Sequence, residues 1–365
     1  MIELDTTDVD RWIGKPLGGA RLVEPIQKND LRRWAQGMAN PNPLYFDEDY
    51  AKQSRFGRMV APQSFGVCTD TSHGAGPAIQ GVIPGQHMIF GGDEWWFNGG
   101  RIEPGDVITH DRMLFDYKVS ETKFSGPTMF SRGDTTYINQ RGEVICKQRS
   151  TSVRYLVENA HKLGMFKNNV PRTWTDQELQ DLEKQKLEYY RSFLDLGHEK
   201  RLFVKVGDKL ATRPIGPHSI ATFTTEWRSY LMTVWGASRE YGESSTHEAG
   251  WLADGLYKGP SRGHVQTRYA QLIGMPREYG YGASMGAWII DYLTNWCGEW
   301  GYVVHSNMQY RAPAFSGDIT YLNGEVVALD HDRNGGPIAT VKVTMTNQDD
   351  VVMAAGKAEI ELPTP

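Results

Sequence analysis

Four pieces of this chain recur in the same order, and that ordered repeat limits the fold more than any other feature. EDYAKQSRFG, with Tyr50-Ala51, matches TRYAQLIGMP, with Tyr269-Ala270. RIEPGDVIT (Arg101 to Thr109) matches RAPAFSGDIT (Arg311 to Thr320), and YINQRGEVICKQRSTSVRY (Tyr137 to Tyr155) matches MTNQDDVVMAAGKAEIEL (Met345 to Leu362). Nearer each start, WIGKPL (Trp12 to Leu17) resembles KVGDKL (Lys205 to Leu210). Such an order implies a tandem duplication of one domain of roughly 150 residues, a usual domain size. The predicted parts are residues 1–155, a helical linker over 156–204, and a second copy over 205–365.

Each half reads as a helical region followed by strands. In the second half, GYVVHSNMQYRAP, GDITYLNGEVVALD and GPIATVKVTMTNQDDVVMAAGKAEIEL alternate β-branched and aromatic residues with polar ones, with NG, RNGG and NQDD as turns. The first half repeats this with DVITHDRMLFDYKVSE, TKFSGPTMFSRGDTTYIN and EVICKQRSTSVRYL. The expected class is α+β, with antiparallel sheet. In the linker, Thr175-Asp176-Gln177-Glu178 is a capping box that opens a charged helix to Leu194, expected to lie over the outside of the sheet.

The candidate chemistry lies between Gly263 and Gly298. His264 sits in a Gly/Ser/Arg-rich loop, Gly274, Pro276, Gly280 and Gly282 punctuate the next short segment, and an apolar helix-length run extends from Ala283 to Trp296. Met285, Trp288, Ile289, Leu293 and Trp296 give that helix a broad apolar face that must be covered on more than one side. A histidine before a helix start is suited to acid–base work near neutral pH, and a glycine N–H at a helix N-terminus to holding developing negative charge.

These parts resemble the catalytic stretch of the MaoC-like, or (R)-specific enoyl-CoA hydratase, family. There, a G-D-x-N-P-L-H motif supplies an Asp and a His, and a glycine eighteen residues later supplies an oxyanion amide at the start of a central helix. Gly282 stands eighteen residues after His264. The resemblance implies a tandem double hotdog, two antiparallel sheets each wrapped round a central helix. It also implies His264 and Gly282 as catalytic groups. The family Asp falls on Gly259; Asp254, with Glu248 and His247 also nearby, is the candidate to replace it, and Ser261 and Arg262 are candidates to bind substrate or orient water.

In the first half, Ala39 to Tyr45 overlays the same motif with Asn40 for the Asp and Tyr45 for the His, and Gln63 stands at the glycine position. An amide is no ordinary base and a phenol titrates near ~10. This half is therefore expected to shape the substrate site, with Asn40 and Tyr45 in contact with substrate. The paired Arg101…Gly105-Asp106 and Arg311…Gly317-Asp318 pieces resemble the family's strand entry; Arg311 is a candidate for coenzyme A phosphate, with a structural ion pair as the alternative. Of eleven tryptophans, Trp95, Trp96, Trp251, Trp288, Trp296 and Trp300 are candidates to line a wide acyl site, against the alternative of an aromatic core.

Composition removes other classes. A net charge of −5 and a pI near 6.1 give no general pull towards nucleic acid or anionic membrane. Three cysteines are too few and too scattered for a disulfide framework or zinc site, and no dinucleotide or P-loop signature is present. No signal peptide or membrane span is expected, so a cytoplasmic setting is. The reading is a hydratase/dehydratase of 2-enoyl-CoA or 3-hydroxyacyl-CoA with a bulky or branched acyl group. It requires no metal and no cofactor, with the coenzyme A thioester as substrate. The alternatives are a hotdog thioesterase or a non-catalytic partner of another MaoC-like chain. The expected assembly is a homodimer, or a hetero-oligomer with such a chain.

Overall fold

Strand pairing carries the duplication directly. In the computed structural model, which describes residues 1–22, 24–70, 73–231, 262–331 and 336–365, ten strands form one sheet. They are β1 (Pro16–Arg21), β2 (Gln86–Phe97), β3 (Thr109–Thr122), β4 (Gly126–Ile138), β5 (Val144–Leu156), β6 (Arg213–Ile215), β7 (Tyr302–Tyr310), β8 (Thr320–Asp330), β9 (Ile338–Asn347) and β10 (Val352–Glu361). The order is β1-β3-β4-β5-β2-β7-β10-β9-β8-β6, antiparallel throughout. The outer five on each side have the same internal order, so the halves are mirrored about the β2–β7 seam. Two five-stranded antiparallel sheets, one from each half, thus join edge to edge. Joining hides one open edge of each half, a pairing liability if left bare.

The seam explains a glycine. Gly92 pairs with Gln309, and a Cβ at position 92 would lie 2.4 Å from the Met308 carbonyl oxygen. Its φ of +149° is also one that side chains rarely adopt.

Among the described residues the helices are α1 (Thr7–Asp10), α2 (Lys28–Gly37), α3 (Glu48–Gln53), α4 (Val157–Leu163), α5 (Asp176–Leu194), α6 (Ile220–Ser229), α7 (Thr267–Leu272) and α8 (Gly282–Cys297). In α8, only Gly282 and Trp296 keep appreciable exposure. It is the central helix, apolar nearly all round because neighbours cover it nearly all round. Its Asp291 is paired inside: Ser64 Oγ donates to Asp291 Oδ1 at 2.6 Å and accepts from Trp34 Nε1 at 3.0 Å.

The two halves keep a constant offset through this region. Tyr45 and His264, Glu48 and Thr267, and Gln63 and Gly282 each stand 219 positions apart, and each pair occupies the same place in its element. The first half has only a 3₁₀ segment, Gln63–Thr69, where α8 stands in the second. Gly66, Gly74, Gly76 and Pro77 deprive that stretch of a continuous helix.

The capping box predicted at Thr175 is formed, and α5 runs from Asp176 to Leu194. It does not lie on the outside of the sheet. It packs on β6 and on α8, with the Tyr189 ring tilted against Tyr292 at 6.0 Å and its hydroxyl accepting from Asn295 Nδ2 at 3.2 Å. Leu182, Tyr189 and Phe193 form the buried stripe that selects this position. Among the described residues no helix is long and apolar enough to cross a membrane.

Candidate active site

A 3₁₀ turn, Arg262–His264, and the short α7 bring the chain to an extended segment ending in Tyr279, Gly280 and Tyr281, from which α8 starts. Tyr279 forms a bridge with Phe315, which fixes this segment. His264 Nδ1 donates to the Tyr279 carbonyl at 2.7 Å, and the ring lies against Tyr279 and Tyr281 with centroids at 4.4 and 4.1 Å. Burial pushes the imidazole down to about 4, partly opposed by the bond to the Tyr279 carbonyl. The ring is therefore neutral at pH 7. Its proton is on Nδ1, because a carbonyl can only accept, and its lone pair is on Nε2.

Tyr281 is the N-cap of α8 and makes no side-chain cap. The first-turn N–H groups of a sixteen-residue helix, with its positive dipole end, thus open the run at Gly282. Glycine is required there by contact: a Cβ would lie 2.3 Å from Phe90 Cβ and 2.9 Å from Phe90 Cγ on β2. His264, Gly282 and Arg311 line one cavity of about 1090 Å³. Its walls come from both halves and the linker: Ile89, Phe90 and Phe124, then Phe166, then Met275 and Met285. The arrangement places a neutral base and a helix N-terminus on one largely apolar chamber, as conversion of a carbonyl compound through an enolate requires.

Other expected site residues lie elsewhere. Trp288 is fully buried and stacks on His218 at 5.4 Å with the planes 9° apart, so it is core and not a substrate contact. Tyr45 and Asn40 are buried on the opposite flank of α8, away from the large cavity; Asn40 Oδ1 accepts from Asn295 Nδ2 at 3.1 Å. Burial pushes the Tyr45 phenol far up. This is the first half's counterpart of the large cavity, and it is narrowed to about 20 Å³ with Phe193 and Leu194 at the end of α5 in its wall. Gln63 stands at the counterpart of Gly282, donating to Val303 O at 3.0 Å and accepting from Val303 N at 3.1 Å.

Arg262 is buried and donates to the Tyr269 hydroxyl at 2.9 Å; it holds the turn that carries His264 and is not a cavity residue. Asp254, Ser261, Glu248, His247, Trp251 and Gly259 lie outside the described residues. Of the six tryptophans expected to line an acyl site, the five described are not in the cavity wall. Trp95 stacks on Phe97 and Tyr137 in the core, and Trp96 lies beside His305 and Arg149. The tryptophan in the wall is Trp227, stacked on Tyr281 at 5.8 Å.

Sequence reasoning missed His73, His87 and Glu226. His73 and His87 line the same cavity from the first half, and burial pushes each down to about 4. Glu226, on α6 beside Trp227, is buried; burial pushes its carboxyl up to about 8, against a hydrogen bond with Ser284 in the first turn of α8. The one signal available was His73 in TSHGAG, a glycine-flanked histidine at the end of the segment equivalent to the helix start.

Residues 11–148 match the family described as the FAS1-like dehydratase domain region. A probable enoyl-CoA hydratase alpha subunit of Thermomonospora curvata is 25% identical over 158 residues, covering 40% of this chain and 50% of that protein. A UPF0336 protein of Thermobifida fusca is 30% identical over 103 residues, covering 27% of this chain and 66% of that protein. The chain thus spans about half the length of the first relative and somewhat more of the second.

A solved MaoC-like dehydratase superposes with a TM-score of 0.66 at 15% identity, covering 98% of this chain and 100% of the other. A MaoC domain dehydratase of Chloroflexus aurantiacus gives 0.54 at 13%, covering 97% and 96%. A Mycobacterium tuberculosis protein described as a double hotdog gives 0.52 at 12%, covering 97% and 98%. At these identities the likeness to solved structures is one of fold, and the fold is the double hotdog.

Proposed function

We propose that this chain, similar to the FAS1-like dehydratase region over residues 11–148 and to MaoC-like dehydratases in fold, is a hydro-lyase that adds water to a 2-enoyl-CoA, or removes it from a 3-hydroxyacyl-CoA. The observation that carries this reading is the shared cavity: His264 and the N-terminus of α8 at Gly282 face the same lumen. In hydration, the water oxygen bonds to C3 as its proton passes to His264 Nε2. The π pair moves onto the thioester oxygen, where the Gly282 N–H and the helix dipole stabilise the enolate. The imidazolium then returns its proton to C2. The sum is one water added, with His264 restored and no electrons gained or lost. Dehydration runs the same steps in reverse.

The acyl group is bulky or branched in this reading. Support comes from a volume of about 1090 Å³, above the usual range for small-molecule sites, and from apolar walls drawn from both halves. Arg311 is the candidate for a coenzyme A phosphate. The setting is cytoplasmic, in keeping with Cys68, Cys146 and Cys297 as free thiols. A homodimer, or pairing with another MaoC-like chain, completes the reading.

The test is the loss of enoyl-thioester absorbance over a panel of acyl sizes, with His264→Ala as control. Turnover that favours branched or ring-bearing acyl groups and vanishes in the variant is expected. Release of free thiol without hydration would make the protein a thioesterase instead. The other reading, a subunit supplying the shell for a catalytic partner, draws on Gly259 in place of the family Asp and on the relative named as an alpha subunit. Activity that appears only on mixing with a second MaoC-like chain would favour it.

A further inference from the structure

The large cavity holds a polar group that hydration by His264 and Gly282 alone does not use. His73 comes from the first half, yet its ring is packed among three aromatic residues of the second. Its centroid is 4.1 Å from Tyr230, 5.4 Å from Trp227 and 6.2 Å from Tyr281. All three neighbours belong to the region around the start of α8. Tyr281 caps the helix, Tyr230 hydrogen-bonds Ser284 Oγ at 3.2 Å, and Trp227 stacks on Tyr281. His264 lies against Tyr281 as well, so the two imidazoles approach one aromatic residue of the cavity wall.

The backbone holds His73 at a strained position. Its φ is +56°, in the left-handed region that non-glycine residues rarely occupy. The turn is fixed from below: Gly74 N donates to Asp70 Oδ2 at 2.9 Å, and Asp70 is ion-paired with Arg112 at 3.4 Å. The next residue, Gly74, has φ +73°, so the chain stays in the left-handed region for two residues. Strain of this kind persists where surrounding structure over-determines it, and it concentrates at working sites.

The nitrogens can be told apart. Nδ1 is sealed from solvent and has no hydrogen-bond partner among the described residues, while the ring as a whole is only half-buried and lines the cavity. A neutral imidazole has one N–H and one lone pair, and a sealed N–H without an acceptor is the costlier of the two to leave unpaired. The proton therefore belongs on Nε2, the nitrogen that can meet a ligand. Burial keeps the ring neutral at pH 7. His264 has the opposite tautomer, with its lone pair on Nε2.

We propose that His73 is a further catalytic residue, whose Nε2–H donates a hydrogen bond to the thioester oxygen as that oxygen takes on enolate charge, beside the Gly282 N–H. This rests on the hydro-lyase reading. No bond to hydrogen is broken at His73. A neutral imidazole in this role has the merit that its proton stays put: an imidazolium would protonate the enolate oxygen instead of polarising it. The residue comes from the half that lost its own catalytic motif, so that half contributes to the chemistry as well as to the shape of the site.

The experiment compares His73→Phe, His73→Gln and His73→Ala in the full chain, with steady-state kinetics on whichever enoyl-CoA the unaltered protein turns over. Phe keeps the ring packing and removes the donor; Gln keeps a neutral donor. The expected result is a loss of about 10²–10³-fold in kcat for Phe and Ala with KM changed little, and recovery of most of it by Gln. A ¹⁵N spectrum should also show a neutral His73 with the proton on Nε2. His73→Phe retaining kcat within about threefold, at an unchanged melting temperature, would overturn the role of His73 and leave the hydro-lyase reading intact. If His73→Phe melts early, Gln against Ala decides: equal activity in those two overturns the proposal. No turnover of any enoyl-CoA by the unaltered protein overturns both.

Discussion

The Nδ1 proton of His264 points at the carbonyl oxygen of Tyr279 across 2.7 Å, two residues before the N-cap of α8. One backbone group thereby sets the tautomer of the base, while the next turn of chain sets the position of the helix N-terminus. His264 and Gly282 are tied to a single extended segment, Tyr279 to Gly282, pinned by its bridge to Phe315. They keep their spacing because they share a support.

That support predicts the acid limb of the activity. Burial lowers the His264 imidazole to about 4, so the base is charged only below that pH. The rate kcat/KM is expected to hold level from pH 7 to 5 and to fall tenfold per pH unit below about 4, as far as the fold survives. The same shift has a stability sign. The unfolded ring binds its proton near ~6.5, so folding loses stability as pH falls from there towards 4. His264→Ala is expected to lower kcat/KM by about 10²–10⁴-fold. A limb near pH 6.5 in the unaltered protein would mean that the ring is solvated.

Glu226 predicts a stability effect of the opposite sign. Its Oε2 has no hydrogen-bond partner among the described residues, and burial raises the carboxyl to about 8. The folded form keeps a proton that the unfolded chain releases near ~4.3, so stability falls as pH rises from there to about 8. Glu226→Gln copies the protonated form and removes that fall. Denaturant titration should find the variant more stable by about 1–3 kcal/mol at pH 7 and equal to the unaltered protein at pH 4. Equal stability at both pH values would count against a buried neutral carboxyl.

Much of this fold was legible because duplication and alternation are local signals. The matches that begin β3 and β8 at Thr109 and Thr320, and the capping box of α5, were visible as residue patterns. The seam was not, because Trp95 and Trp96 in β2 read as acyl-site or core aromatics, and nothing local to them names β7 as the strand paired beside them. Nor was the position of α5, since its stripe of Leu182, Tyr189 and Phe193 says that one face is covered without saying by what. At the site, His264 and Gly282 were legible through their spacing. His73 was not, because it reaches the cavity from the other half and no spacing links it to either.

Trp288 and Trp227 predict contrasting outcomes. Trp288 is fully buried against His218, so Trp288→Ala should destabilise the fold by about 3–5 kcal/mol. Trp288→Phe, if folded, should leave the ranking of acyl substrates unchanged. Trp227 stands in the cavity wall, so Trp227→Ala should change that ranking towards larger acyl groups. Melting curves and a substrate panel measure both; a change of ranking in Trp288→Phe would return that residue to the site.

Gly282 predicts a compensated pair. A methyl at position 282 would meet Phe90 Cβ at 2.3 Å, and a Cβ atom cannot swing aside as the end of a side chain can. Gly282→Ala must therefore shift the start of α8 away from β2. Overpacking of this kind costs about 1–3 kcal/mol, and the displaced N–H should lower kcat about 10²–10³-fold. Phe90→Ala keeps the offending Cβ and should not relieve the clash, whereas Phe90→Gly removes it. The double variant Gly282→Ala with Phe90→Gly retains an amide at 282 and should regain stability and turnover together, each judged against Phe90→Gly alone. If Gly282→Ala by itself keeps kcat within a few-fold, the amide at 282 is not the group that holds the oxygen.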